Sequence, residues 1–521
     1  MKKLLSAALA LMMVLSLLSA CGGNSGGNSA GGGASGTSGG GSSGKDTVVV
    51  RCEQIFFTMH PLEGIVNFPN LYVLDQVYEG LTRIDDSGVV QPRLAESWEV
   101  SDDATVYTFK LHEGVKFHNG EELKASDVVF TYKMALETPS TNLYVNKIKD
   151  IEAVGDYEVK VTLNKPSASF VNNTSEIYIM NEKYYHDVDG VLMEQGCGTG
   201  PYRLVSVDLS NEIELEAFDG YWECEVPIKH AIIRSVTDST TSAVSFEAGE
   251  LDFMQISNIS AYPQLAAGDF NTGLVTALHT AYVSLNTTVA PFDNVLVRQA
   301  LNYAMDRDTM VAIAYEGLAN VAWVMADERS FGIDLSDCNT FRYDPEKAKE
   351  LLAEAGYPNG INFSEDFGIV MDIIAGGYFE KFAQIFQQNL ADIGCTIELR
   401  ASETYSSDAV TGNYAIMTQG MTFQYDSSYL EGLYGTSGIG SKNHAQYSNP
   451  RVDELFALAD ATTDTAERAK YYKELTEIVY EECPTLCVLH RQMPYAWAKD
   501  LNAYPHSAAN HPYYIYEWSW N

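Results

Sequence analysis

Cysteine is scarce here, with eight in 521 residues, too few for a disulfide scaffold. Basic residues are scarce as well. Against 70 Asp+Glu there are 33 Lys+Arg, leaving a net charge of −37. So acidic a surface repels nucleic acid and anionic headgroups, which excludes binding driven by phosphate contacts. There is no His-Glu-x-x-His motif, no phosphate loop, and no Gly-x-Gly-x-x-Gly after a strand. His112 and His118 stand six apart with Gly114 between them, a poor ligand pair for one helix or one strand. No constellation for nucleophilic or metal-assisted catalysis emerges, so neither a resident metal nor a cofactor is expected. The apolar run from Leu4 to Leu18 is too short to span a bilayer. What is present is ordinary globular composition, 46% hydrophobic and 20% charged, over a length that suits three or four structural units of about 150 residues each.

The N-terminus predicts export. Lys2 and Lys3 precede the apolar run, and Ser19, Ala20 and Cys21 follow it, giving a charged n-region, an h-region and a small-residue cleavage site. The stretch Leu18-Ser19-Ala20-Cys21 resembles the lipobox of bacterial lipoproteins, in which the cysteine is lipidated and becomes the new N-terminus. The expectation is a signal peptide over 1–20 and a lipid on Cys21; a plain secretory signal with a cysteine nearby is the alternative. Residues 22–44 hold twelve Gly and six Ser and no charge. That composition is a flexible tether with a root-mean-square reach of about 25–30 Å. Two Gly-x-Ser-x-Gly matches, around Ser38 and Ser42, are chance in such a tract, because a nucleophile elbow needs a strand-to-helix turn. Cleavage would remove only Lys2 and Lys3. The remaining acidity is spread evenly and is no interaction tail.

After the tether the chain reads as mixed α and β. Tyr107, Phe109 and Leu111 share one face of a strand. Tyr157, Val159, Val161 and Leu163 alternate with polar residues, as do Ile213, Leu215 and Ala217 with Glu212, Glu214 and Glu216. Asp344-Pro345-Glu346 opens a helix that Gly356 closes. Phe379, Phe382, Phe386 and Ile393 follow helical spacing, and Thr396 to Arg400 then reads as a strand. Asp464 with Glu467 has capping-box spacing ahead of a helix burying Leu475, Ile478 and Val479. Strands dominate early and helix–strand alternation late. In Cys-Pro-Thr-Leu-Cys, Cys483 and Cys487 suit either a disulfide or two buried thiols. With Cys21 lipidated, seven cysteines remain, so at least one is unpaired.

Five blocks in one order resemble the family 5 extracellular solute-binding proteins of bacterial ABC importers, the peptide- and nickel-binding type. The strongest runs from Leu94-Ala95-Glu96-Ser97-Trp98 through Ser101-Asp102-Asp103 and Tyr107-Thr108-Phe109 to Gly114-Val115-Lys116-Phe117-His118-Asn119-Gly120, ending at Ala125-Ser126-Asp127-Val128-Val129-Phe130. Gly198-Thr199-Gly200-Pro201-Tyr202 follows, then Tyr221-Trp222 leading to Gly249-Glu250-Leu251-Asp252. Val297-Arg298-Gln299-Ala300-Leu301 with Ala304-Met305-Asp306-Arg307 is next. The last is Tyr343-Asp344-Pro345-Glu346-Lys347-Ala348 to Ala355-Gly356-Tyr357-Pro358. Most of these residues also read as structure: Gly114, Gly120 and Gly200 as turns, Trp98, Phe117 and Phe130 as core anchors.

The resemblance implies an α/β fold of two lobes around a cleft, closing by a hinge. Lobe I would comprise 45–81, 196–285 and 501–521, an inserted subdomain 82–195, and lobe II 286–500. It also implies a site, and there the sequence departs from the peptide pattern. In peptide-binding members a segment like Gly-Trp-x-x-Asp-Tyr supplies a stacking tryptophan and an aspartate for the ligand's ammonium. The matching stretch here is Gly420-Met421-Thr422-Phe423-Gln424-Tyr425-Asp426. Met421 stands at the tryptophan position and Gln424 at the aspartate position, although a small shift brings in Asp426 beside Tyr425. A buried ammonium needs a carboxylate, so Glu53 could take that role, or the ligand carries no amine. Ordinary loop packing is the plain alternative for Met421 and Gln424. Matching segments add Gln54, Phe56, Phe57, Tyr144, Tyr282, His490 and Arg491 as ligand contacts. Arg491 could hold a carboxylate by a bidentate fork, with a surface salt bridge as the alternative.

These observations predict no enzyme but an exported, lipid-anchored, monomeric receptor on the outer face of the bacterial cytoplasmic membrane. It would capture a short peptide by lobe closure and deliver it to the transmembrane subunits of an ABC permease. It would touch the membrane through its lipid only and bind no nucleic acid. Thirty-two tyrosines and six tryptophans suit an oligosaccharide as well, and a secreted hydrolase or a peptide sensor are the readings from other classes.

Overall fold

Period-two patterning builds the strands. In the strand Glu212–Ala217, Ile213, Leu215 and Ala217 are buried while the three glutamates stay half-exposed. Val159, Val161 and Leu163 are buried in Glu158–Leu163, as are Tyr107, Phe109 and Leu111 in Val106–Leu111. Tyr157 stands one residue ahead of its strand, and its hydroxyl donates to Glu122 (2.6 Å). The computed structural model describes residues 45–188, 196–325, 333–338, 340–422, 428–506 and 513–521. Cys21, the tether, Gln424, Tyr425 and Asp426 lie outside the described residues.

The helix signals act locally. Asp344 caps Pro345–Glu354 by accepting from the Lys347 amide (2.9 Å), and Gly356 leaves that helix at φ 99°. Phe382 and Phe386 are buried in the helix Gly377–Asp392, and the strand Glu398–Ala401 follows. Asp464 caps Thr465–Glu482 through the amides of Ala466 and Glu467 (2.9 and 3.0 Å). The reciprocal half of that capping box is not made. Glu467 accepts from the Thr462 and Tyr471 hydroxyls instead (3.2 and 2.8 Å), and the Asp464 amide donates to Thr462 Oγ1 (3.2 Å). Cys483 and Cys487 are both buried free thiols.

Among the described residues eleven strands form one mixed sheet. Its two central members are long and antiparallel, Asn271–Leu285 and Thr485–Trp497. On one side lie Phe253–Gln255, Thr47–Cys52, His230–Ser235, Glu212–Ala217 and Tyr202–Val207; on the other, Ile416–Thr422, Val370–Ile373 and Glu398–Ala401, with Ala319–Val321 paired to the second long strand. Each long strand passes from one large hydrophobic core into another. Ala277 and Met493 belong to the first core, Leu278 and Leu489 to the second. A register shift between Thr276 and Thr280 falls where the cores change.

Within residues 95–163 a separate four-stranded antiparallel sheet forms, Ala95–Val100, Val106–Leu111, Glu158–Leu163 and Ile148–Ala153, packed on the helix Ala125–Glu137. Its apolar face merges with the first core. Buried Arg93 ties four segments together. It pairs with Glu79 (2.7 Å) and Glu223 (2.6 Å) and donates to the hydroxyls of Tyr221 and Tyr516 (2.8 and 2.9 Å). Tyr513, Ile515 and Trp518, far along the chain, are buried in the same core. The Gly-Thr-Gly-Pro block serves close approach more than turning: a Cβ on Gly198 would sit 2.0 Å from the Val77 carbonyl oxygen, and one on Gly200 2.7 Å from that of Gln76.

Candidate functional site

Where the two cores change over, polar side chains accumulate that neither core absorbs. From the first-core side, the strand Thr47–Cys52 runs into Glu53, which is half-buried and accepts a long hydrogen bond from Ser257 (3.5 Å). Arg51 is buried beneath it, donating to Ser257 Oγ (2.7 Å) and to the carbonyls of Gln255 (2.8 Å) and Val236 (2.9 Å). Burial lowers the Arg51 pKa, and the Glu53 charge opposes that.

The second long strand contributes His490 and Arg491. His490 Nδ1 bonds Thr280 Oγ1 (2.9 Å), stitching the two long strands at the register shift. Arg491 Nε donates to Tyr315 Oη (2.8 Å), and that hydroxyl donates in turn to the Gln492 carbonyl (3.3 Å). Burial pulls the Arg491 guanidinium down, but Tyr315, Tyr378 and Glu53 outweigh it and hold it above its ordinary value. His279 of the first long strand bonds Tyr378 Oη through Nε2 (3.1 Å) and Thr422 Oγ1 through Nδ1 (2.9 Å). Its pKa falls to about 3, first from burial and then from the charges of Arg491 and His490, so the ring is neutral at physiological pH. Tyr378 stacks on Phe379 (4.3 Å) and meets Tyr315 edge-on (5.1 Å).

Gly420 explains how these rings fit. A Cβ there would come within 2.5 Å of Phe379 and 3.0 Å of His279 Nε2. Only a glycine lets the strand Ile416–Thr422 pass so close beneath them.

The expected contacts separate into groups. Glu53, His490 and Arg491 gather at the junction, and half-buried Met421 lies one residue from Thr422 on the strand paired with the first long strand. Gln54 and Phe57 are exposed beside Glu53; Phe57 is anchored by its amide to Asn70 (2.9 Å). Phe56 (3% exposed) and Tyr144 (7%) pack in the first core and Tyr282 (1%) in the second, so the structure does not bring these three to the polar cluster. Residues unforeseen from sequence are Arg51, Ser257, His279, Tyr315 and Tyr378. One signal was available: Gly376-Gly377 ahead of Tyr378, both at positive φ, opens a helix and puts an aromatic pair at its first turn.

Two apolar cores threaded by a pair of shared strands, with a polar cluster at the changeover, define a binding protein of the two-lobe periplasmic type. Residues 89–441 match the bacterial extracellular solute-binding proteins, family 5, and the chain belongs to that family, which serves ABC importers. It is 33% identical to heme-binding protein A of Haemophilus influenzae over 458 residues, covering 80% of this chain and 82% of that one. It is 31% identical to the glutathione-binding protein GsiB of Pectobacterium atrosepticum over 453 residues, covering 83% and 86%. The solved structure of HbpA2 from Haemophilus parasuis superposes with a TM-score of 0.82 at 28% identity, over 91% of this chain and all of that one. Its relatives are substrate-binding transport proteins, and membership suggests an exported protein. No helix among the described residues is long and apolar enough to cross a membrane.

Proposed function

We propose that this protein is the solute receptor of an ABC importer, that it captures a short peptide or peptide-like solute at the changeover of its two cores, and that it turns nothing over. The observation that carries the reading is the placement of Glu53 and Arg491, neither in an ion pair among the described residues, on the two sides of that junction. Opposite charges across a cleft suit a ligand with both an amine and an acid, and closure would bring each charge to its partner. The glutathione-binding relative supports the peptide class, since glutathione is itself a tripeptide with free acid ends.

In this reading lobe I is built from 45–81, 196–285 and 501–521, the subdomain from 82–195, and lobe II from 286–500. The two long strands act as the hinge. Signal cleavage and lipidation at Cys21 would hold a monomer on its tether beside the permease subunits. Gln54, Phe57, Met421, Gln424, Tyr425 and Asp426 would contact the ligand around the central charges.

The test is native mass spectrometry of protein purified from rich medium, followed by calorimetry with peptides and oligosaccharides. A captured peptide, bound one to one and recovered intact, is the expected result. Cleavage of the added peptides or oligosaccharides would sink the receptor reading in favour of a hydrolase.

A further inference from the structure

Away from the long strands, the two cores also meet at Asp460. It is the last residue of the helix Pro450–Asp460, whose Val452, Leu455, Phe456 and Ala459 are buried in the second core. A helix C-terminus disfavours an acid, because its unpaired carbonyls already carry negative charge. The compensation comes from the other core. Asp460 Oδ2 pairs with Lys147 Nζ (3.0 Å), and the Asp460 carbonyl accepts from the Ala168 amide (3.0 Å). Lys147 lies between Val145 and Ile148, and Ala168 just ahead of Phe170, all three flanking side chains being buried in the first core.

The side that receives Asp460 is fixed by bonds of its own. Lys147 Nζ donates to Ser167 Oγ (2.9 Å), and the Lys147 carbonyl accepts from the Asn164 amide (2.8 Å). The Ser167 amide donates to the Ala104 carbonyl (3.1 Å), and the Ser167 carbonyl accepts from the Tyr107 hydroxyl (2.7 Å). The socket therefore hangs on the strand Val106–Leu111 of the four-stranded sheet. None of these bonds involves the second core, so all of them survive if that core moves. The two that reach Asp460 do not. Only 13% of the Lys147 side chain and 17% of that of Asp460 are exposed, so water and salt screen this pair less than one on the open surface. A socket complete on one side, bonded to a single residue of the other, can release and re-form without disturbing either core.

We propose that the four-stranded sheet is the receptor's catch: its Lys147, Ser167 and Ala168 take Asp460 when the cores close and release it when they part. The proposal rests on the receptor reading in taking that parting as the working motion. It adds a task for the four-stranded sheet, which contributes no residue to the polar cluster, and it makes the strength of one ion pair a control on how long a solute is retained.

The experiment reads hydrogen exchange at the Ala168 amide beside small-angle scattering, on protein refolded free of captured solute. Four forms are compared: wild type, Asp460→Asn, Asp460→Lys, and Asp460→Lys combined with Lys147→Glu. In wild type the Ala168 amide should exchange faster than those of Val159 and Val161 inside the four-stranded sheet, because parting of the cores frees it without unfolding. Asp460→Asn should speed that exchange about tenfold, the scale of one charge-assisted bond. Asp460→Lys should speed it further and enlarge the radius of gyration, even though a lysine suits the helix end better than an aspartate. The double variant should reverse both changes, with Val159 and Val161 at wild-type rates throughout. Exchange at Ala168 in step with Val159 and Val161 in wild type would overturn the catch, since the contact would then be a fixed seam. Wild-type scattering from Asp460→Lys would overturn it too. Should Asp460→Lys fail to fold, wild type and Asp460→Asn decide the matter through the Ala168 rate. A pool of random tripeptides added to wild type should slow exchange at Ala168; no slowing would count against the peptide reading and leave the catch, already decided without solute, standing.

Discussion

Gly420 is a residue whose whole contribution is what it lacks. Any Cβ there would press on Phe379 (2.5 Å) and His279 (3.0 Å), so the Phe379 ring must move aside and the His279 ring must give by a few tenths of an ångström. Gly420→Ala should therefore cost the fold about 1–3 kcal/mol by the scale of overpacking and turn the His279–Tyr378 pair away from Arg491. We expect a modestly lowered melting temperature and weakened solute binding; calorimetry below the melt checks it, and unchanged affinity would show that the rings do not position the ligand. Single residues were also where sequence reading reached least far. The bonds that build the cluster join residues 99 positions apart for His279 with Tyr378 and 176 apart for Arg491 with Tyr315. No local pattern encodes such meetings. A lone histidine inside an apolar strand looks like any half-buried strand residue until its partners are known.

Elements were more legible, because their causes are local. Alternation set the faces of Glu158–Leu163 and Glu212–Ala217, and Asp344-Pro345 set a helix start. The exception is instructive. Asp464 and Glu467 have capping-box spacing, but Thr462 intercepts both, and the cap works through Asp464 alone. Asp464→Ala should thus destabilise Thr465–Glu482 by about 1 kcal/mol, read as faster hydrogen exchange at the Ala466 and Glu467 amides, while Glu467→Gln should leave those amides protected. The two long strands are the elements least visible beforehand. The passage from one core to the other at Ala277 and Leu278 falls inside continuous strand, marked only by a register shift that sequence does not announce.

At the scale of the whole molecule, the closing segment is bound by charge as well as by burial. His506 lies between Asp86 (3.1 Å) and Glu517 (2.9 Å), and Tyr504 donates to the same glutamate (2.6 Å). Burial lowers the His506 pKa, but these two carboxylates overcome it and raise the value to about 9. A folded-state pKa above the ordinary 6.5 means the contribution is full below pH 6.5 and disappears as pH rises through 9. Its size is ~1–3 kcal/mol once the exposure of Asp86 is discounted. The melting temperature of wild type should therefore exceed that of His506→Gln at pH 6 and converge with it above pH 9.5. A constant gap across that range would mean the imidazolium is not what binds the segment.

The first core has one more property, and it concerns timing. Val48 and Val50 near the start of the described chain share that core with Tyr513, Ile515 and Trp518, so it lacks its closing side chains until synthesis has passed position 518. Among the described residues the buried members of the second core run from Leu278 to Leu489. As the chain emerges N-terminus first, the second core can thus be completed before the first, which lacks Trp518 until nearly the last residue.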